Sequence, residues 1–503
     1  MLTRHREDSV AATNRSDVSH VPPTPCNFLK HHAQIQLPIE LWLFVTPMLS
    51  PWEIRSLSSV CLLLREALTP LVFRKFTLTQ IHGSIASIRK AIAIAASSAW
   101  LQNIVELELR SGDSYRSIRD IGVTSAVSTA LKAVPKMSRL QTITLTNIRL
   151  SSNQLVIVLG APGLRKFTLV GVALPDLALK GLPPTSVRHL KLHNTKECGM
   201  AILLWTHLSS SLEVLELQRF KHSDNLPPLP PCPRLHTFLY VTTTTAFGLP
   251  EWRFHEFINS CPNLTHLTTS VLFPNPLQFN MFPSTLRHLC LHRDLLCFHS
   301  RGTQLTSLVS FRITGLEDLY TVQAVLSTAQ YINNHFPNLL NLELEISWAQ
   351  RNHALALARF VLSVRSLHLV VATTLGLKAD ENSPYMGIED ADILWGNLER
   401  REQSAKLRGL SLEVTQYTRP LEDTTNAFTD WWISFITTYR VGLGGPDLTE
   451  TDVTYFCPGT SPEESDIRLW HHYKRSEYST WSFSSGSWLE SEDSRIQGKA
   501  RAS

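Results

Sequence analysis

One pattern recurs along most of the chain. An apolar residue is followed by two others, an apolar residue, one other, and usually a third apolar residue. It appears as IVELEL from Ile104, LQTITL from Leu140, LRKFTL from Leu164 and VRHLKL from Val187. It continues as LEVLEL from Leu212, LHTFLY from Leu235, LTHLTT from Leu264 and LRHLCL from Leu286. LVSFRI from Leu308, LLNLEL from Leu339, VRSLHL from Val364 and LRGLSL from Leu407 complete the set, and only LTHLTT ends on a polar residue, Thr269. Seven of the eleven steps between starts lie between 22 and 25 residues, a regularity that chance does not easily give. The alternation in T-I-T-L, K-F-T-L and H-L-K-L reads as strands with one buried face. Helical periodicity fills stretches between them, at 123–134, 200–208, 318–335 and 354–362. A proline often sits just ahead of the next strand, as at Pro162, Pro233, Pro262 and Pro337, where it ends the preceding element and pre-sets the turn.

Strand, helix, strand at this step predicts an α/β solenoid, with a parallel sheet on the concave side and helices on the convex side. Each unit buries its apolar edge only against its neighbours. The pattern resembles the leucine-rich repeat, whose L-x-x-L-x-L core lies in a unit of 20–29 residues. The Asn or Cys usual three residues past the last Leu is replaced here by Ile148, Val172, Thr195 and Phe220. The resemblance is therefore to irregular members. The array of about twelve units is expected over residues 81–445, opened by an amphipathic helix near Gly83. Residues 446–503 read as a capping segment, with a strand at 478–483, followed by a disordered tail.

Residues 1–35 are polar, carry Pro22, Pro23 and Pro25, and read as disordered. They lack the apolar core of a signal peptide. After them comes LPIELWLFVTPMLSPWEIRSLSSVC, from Leu37 to Cys61. Pro38, Pro47, Pro51, Glu40, Glu53 and Arg55 interrupt it too often for a membrane span. Pro38 suits a first helical turn. Leu41, Val45 and Leu49 follow at helical spacing, and Ile54, Leu57, Val60, Cys61 and Leu64 mark further helices. So small a helical unit cannot bury Trp42, Phe44 and Trp52 as well, which predicts an apolar patch completed by a partner.

The spacing Leu37-Pro38-x-Glu40, Val45, Leu49, Glu53-Ile54, Leu57, Val60-Cys61 resembles the F-box. Leu64, Arg65, Leu71 and Phe73-Arg74 resemble its third helix. Glu53-Ile54 stands where Asp-Leu is usual, Phe73 where Trp is common, and Thr46-Pro47 should kink or shorten the first helix. The chain thus resembles fungal-type F-box proteins with irregular leucine-rich repeats, with a small all-α F-box at 36–80. The resemblance implies a substrate-recognition adaptor of an SCF-type cullin-RING ubiquitin ligase. Leu37, Pro38, Ile39, Val45, Leu49, Ile54, Leu57 and Val60 would face or support a Skp-family adaptor, and the repeats would bind an unidentified target protein. The alternative is a leucine-rich-repeat scaffold without a ligase role. A cytoplasmic or nuclear location is expected.

Read in register, the strand residues between the buried ones form the candidate target surface. They include Glu106, Glu108, Arg110, Lys166, His189, Lys191, His193 and Glu216. Further along come His266, His288, His292, Arg312, Glu343 and Glu345. The ends of this face are acidic and its middle is His-rich. Neighbouring strands lie ~4.8 Å apart, so His266 and His288 could be close; that leaves open a metal or pH-sensing role, with solvated sheet histidines the simpler reading.

The remaining composition narrows the function. Forty-seven basic against forty-three acidic residues give a net charge of +4, no argument for nucleic acid or an anionic membrane. The eight cysteines form no C-x-x-C pair, so no structural zinc is expected. No Walker loop, H-E-x-x-H, G-x-S-x-G or helix-opening G-x-G-x-x-G is present. Neither a catalytic role nor a cofactor is expected.

Overall fold

A computed structural model describes residues 39–46, 49, 51–80, 98–111, 123–175, 182–194, 198–219, 229–241, 251–270, 282–296, 304–316, 321–346, 350–373, 409–416, 450–457, 466–475 and 481–490. The chain divides into two compact units, residues 1–68 and 69–503.

The first unit contains short helices at Ile39–Val45 and Pro51–Ser58, and the helix Leu62–Val72 begins within it. The first helix stops ahead of Pro47, as the residue before a proline resists the helical conformation. The Thr46 hydroxyl donates to the Trp42 carbonyl at 2.6 Å, satisfying one group of that last turn.

The second unit is built on one sheet of sixteen strands in sequence order. These are β1 Lys75–Gln80, β2 Glu106–Ser111, β3 Thr142–Thr146, β4 Lys166–Val170, β5 His189–His193, β6 Val214–Gln218, β7 Thr237–Val241 and β8 His266–Thr269. Then come β9 His288–His292, β10 Ser310–Thr314, β11 Asn341–Ile346, β12 Ser366–Thr373, β13 Gly409–Gln416, β14 Glu450–Cys457, β15 Asp466–Arg475 and β16 Trp481–Glu490. Strands β1 to β14 pair in parallel, and β15 and β16 close the sheet antiparallel. The twelve sequence motifs supply β2 to β13, one strand each. The sheet extends beyond them at both ends: β1 lies ahead of the Gly83 start expected for the array, and β14 follows β13 in parallel. The closing strand spans Trp481–Glu490; Tyr478, where a strand was expected to start, the helix near Gly83 and the terminal segments lie outside the described residues.

Helices occupy several of the connections, including Val123–Lys132, Ser152–Leu159, Cys198–Leu208, Glu251–Asn259, Val322–His335 and Arg351–Phe360. Local chemistry starts two of them. Ser151 and Gln154 form a reciprocal capping box, and the Thr321 hydroxyl accepts the Ala324 N–H at 3.1 Å. The first apolar residue of eleven motifs, from Ile104 to Val364, is no more than 2% exposed. The strand residues facing the same way bury as well, and an aromatic knot thickens the middle. There Trp205 meets Phe257 edge-on at 4.9 Å, Phe257 meets Phe238 at 5.0 Å, and the Trp205 indole donates to Cys232 Sγ at 3.1 Å.

For β2 to β12, register is set just ahead of the strand. The Arg165 carbonyl accepts the N–H groups of both Arg188 and His189, and the Arg188 carbonyl those of Glu213 and Val214. The same double acceptance repeats from Arg74 to Leu340. Hydroxyls reinforce it: Ser186, Ser211, Thr285 and Ser307 each donate to the carbonyl of the preceding unit's first apolar residue. At the other strand end the chain turns through left-handed backbone at Asn147, Gly171, Asn194, Arg219 and Gly315. Each supports the turn that follows its strand, and Asn tolerates this conformation better than other side chains.

Gly315 has φ +70°, and a methyl group there would overlap the His292 ring. Gly315→Ala is expected to lower stability by about 2 kcal/mol or more. Arg219, exposed at φ 50°, is the opposite case. Arg219→Gly is expected to raise stability by up to about 1 kcal/mol. Denaturant midpoints of the two variants against the parent check both signs.

Candidate functional site

Two surfaces emerge, one in each unit. In the first, apolar residues far outnumber the buried ones. Phe44 is 72% exposed, Trp52 74%, Val60 70%, Leu62 67% and Leu63 64%. Leu41 and Val45 are exposed as well, while Leu64 and Leu68 are buried. Of the eight residues expected at the adaptor, Val45 and Val60 are thus open, and Leu49, Ile54 and Leu57 are half-buried. Ile39 opens the first helix, and Leu37 and Pro38 lie outside the described residues. Phe44 and Trp52, expected in the apolar patch, belong to the same surface, and Leu62 and Leu63 join it without having been expected there. Their signal is the surplus of apolar positions around such short helices.

The second surface is the open face of the sheet. Three rows of side chains cross it. One runs through Glu106, Thr142, Lys166 and His189, one through Glu108, Thr144, Thr168, Lys191 and Glu216, and one through Arg110, Thr146, Val170, His193 and Gln218. The rows continue to His266, His288, Cys290, His292 and Arg312, then to Glu343 and Glu345. The expected residues therefore share one face, and most are half-buried; Glu108 is buried.

Most of their charges are spoken for by neighbouring strands. Glu108 pairs with Arg110 and with Lys75 at 3.6 Å, and accepts the Thr77 hydroxyl at 3.5 Å. Glu216 lies 2.8 Å from His189 Nε2 and 3.2 Å from Lys191 Nζ. Arg312 reaches Glu343 at 2.8 Å and Glu345 at 3.2 Å. Burial alone would raise the Glu216 carboxyl. The hydrogen bond from His189 and the charge of Lys191 outweigh it and bring the group from its ordinary 4.5 to about 2.

Between these ion clusters the face changes character. His266 and His288 stack with ring centroids 4.0 Å apart and planes 8° from parallel. Burial, then the nearby Arg287 charge, lowers the His288 pKa. In the same way burial, Arg219 and Lys191 lower that of His193. Burial pushes the Cys290 thiol up to about 11. The adjoining β7 presents Thr237, Leu239 and Val241, so the middle is apolar and imidazole-rich. The β7 contribution was missed because LHTFLY places apolar residues on both faces. Lys75 and Thr77 of β1 were hidden inside the expected F-box span. The repeated pentapeptide RKFTL, at Arg74–Leu78 and again at 165–169, marks that strand directly.

Among the described residues no group of three or more His, Cys, Asp or Glu side chains is placed to hold a metal ion. No helix among them is long and apolar enough to cross a membrane. No family model matches the chain, and no curated protein matches it.

The depressed Glu216 group fixes a pH dependence. A carboxyl with a lowered folded pKa adds stability that is full above its unfolded value and lost as pH falls. The His189–Glu216–Lys191 contribution is therefore expected to be complete at pH 6 and lost between about pH 4.5 and 2. Glu216→Gln should cost about 1–2 kcal/mol at pH 6 and only a small fraction of that at pH 2. Denaturant titrations of both proteins across this range measure it.

Proposed function

We propose that the chain is the substrate-recognition subunit of an SCF-type cullin-RING ubiquitin ligase. In this reading the helical part of the span expected for the F-box, up to Val72, docks on a Skp-family adaptor, while Lys75–Gln80 of that span belongs to the sheet and the leucine-rich-repeat-like array presents the target. One observation carries the proposal: the short helices beginning at Ile39, Pro51 and Leu62 leave Phe44, Trp52, Val60, Leu62 and Leu63 open to solvent at 64–74% exposure. Exposed apolar surface of this density marks a protein-contact site. Helices that present it can pack against helices of a partner. It falls within the span where the sequence matches the F-box pattern. The chain itself does no chemistry in this scheme. It raises the effective concentration of a target lysine near a charged ubiquitin carrier held by partner subunits. The parallel sheet, with its row of polar residues on the open face, suits the target-holding role.

The test is a pull-down of the full chain with a purified Skp-family adaptor. Wild-type protein is expected to bind. Leu37→Ala with Pro38→Ala, and separately Val60→Glu, should lower binding roughly tenfold or more, the scale of a hot-spot loss. Circular dichroism should show the sheet unit intact in both. Failure of the wild type to bind where another F-box protein binds overturns the ligase reading in favour of the scaffold.

A further inference from the structure

The edge of the sheet just ahead of the strands carries basic side chains of its own. The residues preceding β9, β10, β11 and β12 are Arg287, Val309, Leu340 and Arg365, in that order along the edge. Together with Pro337 and Asn338 they line an open pocket of about 480 Å³. Arg287 and Arg365 are exposed, and no acidic side chain among the described residues pairs with either. Leu340 is 44% exposed on the floor between them, and Val309 is half-buried beside it. The Asn338 side chain is held in place by donating to the Thr306 carbonyl at 2.8 Å.

The spacing is specific. Arg287 and Arg365 stand three strand steps apart, about 14 Å. An extended peptide covers that distance in about four residues at ~3.3 Å each. Its side chains at the first, third and fifth positions point the same way. Carboxylates at the first and fifth positions would meet the two guanidinium groups, which bind carboxylates in a two-pronged geometry. An aliphatic side chain at the third position would lie over Leu340 and Val309. We propose that this pocket is a docking site for an extended acidic segment of a partner protein, with two carboxylates four residues apart and an aliphatic residue midway. The site lies off the open face, goes beyond the ligase reading and does not depend on it.

The same edge supplies an internal comparison. Arg139, Arg165 and Arg188 surround a smaller pocket of about 210 Å³, but Glu213 already pairs with Arg188 at 3.1 Å, and among the described residues lining it no Leu, Ile or Val takes the place of Leu340. A uniform basic edge would treat the two pockets alike, whereas the proposed site would not.

The experiment uses the full chain without an adaptor and a fluorescein-labelled peptide with the core Asp-Ser-Leu-Ser-Asp, read by anisotropy. Saturable binding is expected. Arg287→Ala and Arg365→Ala should each weaken it about tenfold, as for loss of a charge-assisted contact. Leu340→Ser should weaken it severalfold, and Arg165→Ala should leave it unchanged. Changes in the peptide test the site without altering the chain: replacing its leucine by serine, or moving the aspartates two residues apart, should each reduce affinity. No saturation by about 1 mM, the scale of −4 kcal/mol, overturns the proposal. So does equal weakening by Arg165→Ala, indifference to the aspartate spacing, or tighter binding of a single-stranded RNA of equal charge.

Discussion

The carbonyl just ahead of each of β1 to β11 accepts two N–H groups from the following unit, and from β2 onward the apolar residue before it enters the core. This pair of contacts fixes where β2 to β12 begin. Side chains in a strand alternate between faces, so a slip of one residue would send the whole apolar set outward. Once the double acceptance from Arg74 to Leu340 is in place, Leu107, Ile143, Phe167 and Leu190 must line up on one side. Glu108, Thr144, Thr168 and Lys191 must then line up in one row on the other. The ion clusters, the stacked histidines and the edge arginines all inherit their spacing from this register. Stability of such an array comes from each unit and its two neighbours, so no distant contact can restore a misplaced strand.

That regularity explains what was legible. A buried ladder repeated at a near-constant step leaves its mark in the sequence, and each of the twelve motifs became a strand. The face assignment of the charged residues followed from alternation alone. The pairing did not. His189 and Glu216 are 27 residues apart, and Arg312 and Glu345 are 33 apart, so only the three-dimensional register joins them. The hydroxyls of Ser186, Ser211, Thr285 and Ser307 directly precede a motif, a signal that was present but weak in any single unit. In the helical segment, the surplus of apolar residues was legible. Trp42, Phe44 and Trp52 were its named members; that Phe44 and Trp52 would be open and Trp42 half-buried was not legible, because very short helices give the periodicity too few turns to choose a face.

The open face and the edge now differ in electrical character. On the face, Glu108, Glu216 and Arg312 are held by neighbours, which leaves an apolar and imidazole-rich middle around Leu239, His266 and His288. A molecule meeting that middle would find little net field and much shape. At the edge, no acidic side chain among the described residues pairs with Arg287 or Arg365, and both are exposed. Long-range attraction and close fit are thereby assigned to different parts of one sheet.

The spacing of the units tolerates much that the register does not. Strand β13 begins 43 residues after β12, against 22 to 25 for most steps, and Ser366 still meets Gly409 in line. Insertions are absorbed in the connections, where loops are thermodynamically inexpensive to lengthen. A position on the open face is therefore addressed by its strand and row, and the count of residues along the chain carries no such information. Chains of this design can diverge in length and keep the same surface coordinates, so their faces should be compared by strand and row even when an end-to-end alignment of their sequences fails.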